Sequence, residues 1–154
     1  MLKMAKRTLR DLSRIIPTEG DFDRIEREVE TGSNRHFVLT WSIDIENTLR
    51  HAITTVLPKN DRSIIDRMTD RDGVLSTFSR KIDLGYALAL YDTQLLKDLN
   101  IIRNIRNAFA HTLLPIDLNT TELATEITKL KSTTNRDKFK YPCHYVLAAS
   151  SYIF

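Results

Sequence analysis

A chain of 154 residues, 42% hydrophobic and 28% charged, has the size and composition of one soluble globular domain with a single core. Four glycines and four prolines are too few for the many tight turns of a sandwich or barrel, and a single cysteine, Cys143, excludes an intramolecular disulfide framework and a cysteine-based zinc site. The net charge of +3 and a pI near 9.1 give a mildly basic surface that permits contact with nucleic acid without demanding it, because acidic and basic residues are interspersed.

Nearly every segment reads at helical period. The start, "MLKMAKRTLRDLSRII", has basic and apolar residues but neither a continuous apolar stretch nor a small-residue cleavage site, so it reads as a terminal helix or arm rather than a targeting signal. Pro17 follows where a first-turn proline is tolerated, and Thr18 to Glu30 form an acidic, weakly apolar stretch. Thr31-Gly32-Ser33 marks a break with Ser33 or Asn34 as the next cap, which separates an N-terminal helical extension (1–32) from a helical bundle domain (33–154). Phe37, Trp41, Ile45, Leu49, Ala52 or Ile53, and Val56 then step by three or four, the strongest amphipathic pattern in the chain, ending at Pro58. A short helix around Ser63 to Met68 leads into the polar turn "TDRDG", where Gly73 is expected to supply a positive φ. Val74, Leu75, Phe78, Ile82, Gly85 or Tyr86, and Ala89 mark the next helix, with Gly85 pointing to a close helix crossing. "YDTQ" supplies a turn and cap before Leu95, Leu99, Ile102, Ile105 and Phe109, and Pro115 closes that helix. "DLNTTEL" caps another helix running to about Lys131, "STTNRDK" reads as a solvated loop, and the apolar "YPCHYVLAASSYIF" reads as a last helix or an oligomer contact. The sum is an all-α, single-domain helical bundle. No apolar run approaches the roughly 18–20 residues that cross a bilayer, and the chain reads as cytoplasmic, with no membrane partner.

The stretch "LNIIRNIRNAFAHTLLP", residues 99–115, threads polar residues through an apolar helix. On a helix, Asn107 and His111 lie about 40° apart and Asn104 and His111 about 20° apart, with Arg103 one turn before Asn107. These four form one polar stripe beside the apolar set Leu99, Ile102, Ile105 and Phe109. Arg106 lies about 140° from His111, so its direction is open. An imidazole titrates near neutral pH and serves as general base or acid, while an arginine fork stabilises a phosphoryl group as its charge grows. With an asparagine to orient either, the set suffices for metal-independent RNA cleavage by attack of a 2′-OH on the adjacent phosphate. The same residues also make a cationic helix end with Asn and His capping its last turn. Both readings stand at this level.

Elsewhere, Asp44 or Glu46 offers a carboxylate that pairs with Arg103 or Arg106, or else Asp44, Asn47 and Arg50 make a solvated face. His36, His51 and His144 lack a second ligand at helical spacing, so neither a metal nor a cofactor is expected. Trp41, Tyr86 and Phe109 fit core positions, and Lys129, Lys131, Arg136, Lys138 and Lys140 make a basic C-terminal region.

"RNAFAH", Arg106 to His111, resembles the R-x4-H signature of HEPN-type proteins, α-helical bundles that are often dimers and often metal-independent ribonucleases. In those enzymes arginine and histidine from two protomers share one cleft. The resemblance implies catalytic Arg106 and His111, supported by Asn107, with RNA as partner. A longer stretch, residues 72–123, is similar to the mannitol repressor (MltR) family. Gly73, Leu75, Ser79, Lys81, Ile82, Leu84, Tyr86, Ala87, Leu88 and the run from Leu99 to His111 carry that likeness. The sequence departs from the pattern at "ALAL", residues 87–90, where a Gly-Leu is more usual, and in its N-terminal extension. This resemblance implies transcription-associated regulation by a homodimer. Without a helix-turn-helix reading head, it implies action through a regulatory protein partner.

Overall fold

The computed structural model describes Thr18, Gly20, Asp23, Arg27 and residues 32–59, 61–113 and 115–131. Its helices are α1 (Asn34–Val56), α2 (Arg62–Thr69), α3 (Phe78–Ala87), α4 (Thr93–His111) and α5 (Thr121–Ile127), with no strand among the described residues. The expected terminal helix, the basic residues Arg136, Lys138 and Lys140, His144 and the apolar C-terminal stretch lie outside the described residues.

Local signals set most boundaries. Ser33, not Asn34, caps α1: its hydroxyl accepts from the His36 amide at 3.2 Å. Asp92 caps α4 by accepting from the Leu95 amide at 2.8 Å. Along α1, Phe37, Trp41, Ile45, Leu49, Ala52 and Ile53 are buried at a spacing of three to four, as their periodicity requires. They pack against Leu95, Leu99, Ile102, Ile105 and Phe109 of α4 and against Phe78 and Ile82 of α3, in one core that Leu123 and Ile127 of α5 extend. No residue of α2 is buried.

The segment before α3 departs from expectation. Val74 and Leu75 belong to a turn, and the helix begins only at Phe78, behind the Thr77 cap. The cause is a chain reversal onto α2, in which the Leu75 amide donates to the Met68 carbonyl at 2.7 Å. That reversal also explains Gly73, whose φ is not positive. Its requirement is space: a Cβ there would lie 2.2 Å from the Met68 carbonyl oxygen. Gly85 does mark the close approach its position suggests, since a Cβ would lie 3.0 Å from Leu49 Cδ1 and 2.9 Å from Tyr91 Cε1. The Tyr91 ring has little room to yield, because its hydroxyl donates to the Ile82 carbonyl at 2.5 Å.

Helix α3 ends in a left-handed residue. The Leu90 amide donates to the Gly85 carbonyl and the Ala89 amide to that of Tyr86, at 3.1 and 2.9 Å, with Ala89 at φ 56°. Glycine normally fills this position, because a Cβ there costs about 1–2 kcal/mol. Ala89→Gly is therefore expected to raise the urea-unfolding free energy by roughly 1 kcal/mol, partly offset by the freedom glycine gains in the unfolded chain. Ala89 lies in the "ALAL" segment where the sequence departs from the MltR-like pattern.

The three aromatic residues expected in the core divide. Trp41 and Phe109 are buried, whereas Tyr86 is 40% exposed and its hydroxyl pairs with Thr93 Oγ1 at 3.1 Å. Periodicity placed Tyr86 in the core, but Gly85 takes the crowded position and turns its neighbour outward.

Asp98 of α4 is buried, with Oδ1 accepting from Gln94 at 3.0 Å and Oδ2 lacking a partner. Burial pushes its carboxyl above the ordinary range, against the opposing pull of the Gln94 hydrogen bond and Lys131. A carboxyl whose pKa rises on folding destabilises the fold as pH climbs above the unfolded-state value. Asp98→Asn, which keeps the acceptor for Gln94, is expected to gain stability at pH 7 and to lose that advantage near pH 4. Urea titrations at the two pH values measure it.

Candidate functional site

The polar residues of "IIRNIRNAFAH" occupy the C-terminal half of α4, held down by buried Ile102, Ile105 and Phe109. Asn104 and His111 are exposed; Arg103, Arg106 and Asn107 are half-buried. All five reach the surface, as the helical wheel requires.

Their contacts divide them. Arg103 reaches across to α3, donating to Ser79 Oγ at 2.7 Å, and along its own helix to Asn104 Oδ1 at 3.3 Å. Arg106 donates to Asn107 Oδ1 at 3.1 Å. Its direction, open on the helical wheel, is toward its own neighbour rather than toward a carboxylate. Neither arginine has a carboxylate partner among the described residues. His111 makes no hydrogen bond or ion pair there.

The carboxylates of α1 are used differently from both sequence alternatives. Glu46 Oε1 binds Lys81 Nζ of α3 at 2.6 Å rather than an arginine of α4, and Asp44 is 7% exposed, so it does not lie on a freely solvated face. His36 and His51 are exposed, and no cluster of metal-ligating residues occurs among the described residues.

Beside His111 lies an open cleft of about 580 Å³, lined by Ala108, His111, Thr112, Ile116, Thr120, Glu122 and Leu123. Ala108, His111 and Thr112 stand at helical spacing on one face of α4 and its cap, and the start of α5 forms the far wall. Arg106 is not among the described lining residues. The cleft therefore offers a mainly apolar surface with one imidazole and one carboxylate.

Arg35 had no signal in the sequence. Its guanidinium donates to the carbonyls of Phe109 and Thr112, the latter at 3.2 Å, tying the first turn of α1 to the last turn of α4. A cation at a helix C-terminus meets both the unsatisfied carbonyls and the negative end of the helix dipole. Its partners are more than seventy residues away in sequence, beyond any local pattern. Arg35 fixes the backbone from which His111 projects.

No family model, curated protein or solved structure matches this chain. No described helix is long and apolar enough to cross a membrane.

Proposed function

We propose that this chain is an MltR-like regulatory protein of the cytoplasm that works as a homodimer and acts by docking a protein partner. The docking face is the C-terminal end of α4. The observation that supports this reading is the cleft beside His111, where Ala108, Ile116 and Leu123 form an apolar surface and Glu122 adds a carboxylate. Such a surface accepts an apolar side chain from a protein. The MltR-like stretch over residues 72–123 supplies the transcription-associated context. A photo-crosslinker at Ile116 is expected to trap a protein in cells, and Ala108→Trp, which fills the cleft, to abolish the product. A product unchanged by Ala108→Trp contradicts the assignment of the cleft.

A second reading is an HEPN-type, metal-independent endoribonuclease in a toxin or defence setting. Its support is that, among the described residues, exposed His111 has no bonding partner and Arg106 has no carboxylate partner. Both are thus free to meet an RNA phosphate once two protomers face each other. His111 would take the proton from a 2′-OH as that oxygen attacks phosphorus. The bond to the 5′-oxygen then breaks with proton return, leaving a cyclic phosphate, while Arg106 holds the growing charge and Asn107 orients it. The two readings make opposite predictions for RNA.

A further inference from the structure

Ile102-Arg103-Asn104 and Ile105-Arg106-Asn107 are the same triplet twice, and the structure makes the same contact twice. Each isoleucine is buried, and each arginine donates to Oδ1 of the asparagine that follows it, at 3.3 and 3.1 Å. A guanidinium has donors only, so each pairing uses the asparagine's acceptor and turns its amide N–H groups into the free end. The third partner, Ser79, is neutral as well. The outcome is a half-buried cationic face that offers donors almost exclusively, in two units about 4.5 Å apart along the helix axis. Among the described residues neither arginine has a counter-charge, and half-desolvated cations in that position are stabilised by an anionic ligand brought to them.

We propose that this face docks an acidic helical segment of the partner, with carboxylates one helical turn apart meeting the two arginine–asparagine units. The inference rests on the partner-docking reading above and names the chemistry of that partner. Carboxylates at i and i+3 or i+4 of a helix lie about 5–6 Å apart, which matches the spacing of the two units. The stripe continues through Asn107 and His111 to the cleft, so an apolar residue one or two turns further along the partner reaches Ile116 and Leu123. Leu113, fully exposed beside the cleft, adds apolar surface at the same end. Charge and apolar area together describe an amphipathic acidic helix. A single-stranded nucleic acid fits less well, because it binds by stacking on exposed aromatic rings. The large exposed aromatic among the described residues, Tyr86, is bonded to Thr93 at the opposite end of α4.

The test uses the full chain and three labelled probes in fluorescence anisotropy. One is a 21-residue amphipathic peptide of Glu, Ala and Leu with Glu at i and i+4; the second has each Glu replaced by Lys; the third is oligouridylate. The acidic peptide is expected to bind, to weaken as salt rises, and to lose about tenfold or more in affinity in the Arg103→Gln/Arg106→Gln protein. The Lys peptide is expected not to bind. Because Arg103 also bridges to Ser79, a second variant, Asn104→Asp/Asn107→Asp, keeps both arginines and places carboxylates on the face. It is expected to lose the acidic peptide with no fall in thermal midpoint. Acidic-peptide binding that is absent, or unchanged in both variants, overturns the inference. If the Ile116 crosslink to a protein persists in those variants, partner docking stands and only its acidic character fails. Oligouridylate bound through the arginines in place of the peptide removes both.

Discussion

Glu46→Ala is expected to destabilise the fold by about 3 kcal/mol, the low end of what breaking a buried ion pair costs. The damage arises mainly at Lys81, whose side chain is 8% exposed and whose ammonium binds Glu46 at 2.6 Å. Once the carboxylate is gone, the ammonium is left in a poorly solvated position between α1 and α3. Glu46 is itself 20% exposed, which admits some water and keeps the penalty from the upper end of the range. The pair contributes less to net stability than its removal suggests, because two charges were desolvated to form it. Glu46→Leu/Lys81→Met is accordingly expected to recover most of the loss and to lie within about 1 kcal/mol of the wild type. Urea unfolding of Glu46→Leu, Lys81→Met and the double variant measures the coupling; strictly additive losses would contradict the assignment.

Arg35→Ala is expected to cost about 2 kcal/mol and to loosen one end of one helix. Two carbonyls at the end of α4, those of Phe109 and Thr112, lose a charged donor together. The substitution also removes a positive charge from the negative end of the helix dipole. Hydrogen exchange should accelerate in the last turn, from Ala108 to His111, while the buried turn around Leu99 keeps its protection. Arg35→Lys retains the charge but not the fork that spans both carbonyls, so it is expected to restore only part of the stability. Because the loosened turn carries His111 and one wall of the cleft, binding at the site should weaken along with it. A uniform rise in exchange across α4 would mean that Arg35 supports the core rather than the helix end.

The helices were legible where periodicity and caps act locally. Phe37 to Ile53 declares α1 by its stripe, Asp92 declares the start of α4, and the polar stripe from Arg103 to His111 emerges at the surface as the wheel places it. What escaped the sequence depends on partners far along the chain. Nothing near Arg35 signals the end of α4, and nothing near Ser79 signals Arg103, although both contacts shape the candidate site. Lys81 is buried at a position where a lysine is ordinarily solvated, and only the approach of Glu46 from α1 makes that tenable. Val74 and Leu75 continue the helical pattern of α3 on paper, but the reversal onto α2 claims their backbone first. Gly73 and Gly85 were recognisable as special, and Gly85 for the right reason; at Gly73 crowding by the Met68 carbonyl, rather than a positive φ, excludes a side chain.

Arg106 remains the pivotal residue of the stretch. Its bond to Asn107 leaves it without a carboxylate among the described residues, which suits an acidic partner and a phosphate alike. The distinction lies in what happens to RNA. Purified protein incubated with single-stranded RNA in EDTA, beside His111→Ala and Arg106→Ala, tests the account most directly. Partner docking predicts intact RNA with the wild-type protein. Cleavage by the wild type that disappears in both variants would contradict it and establish a metal-independent ribonuclease.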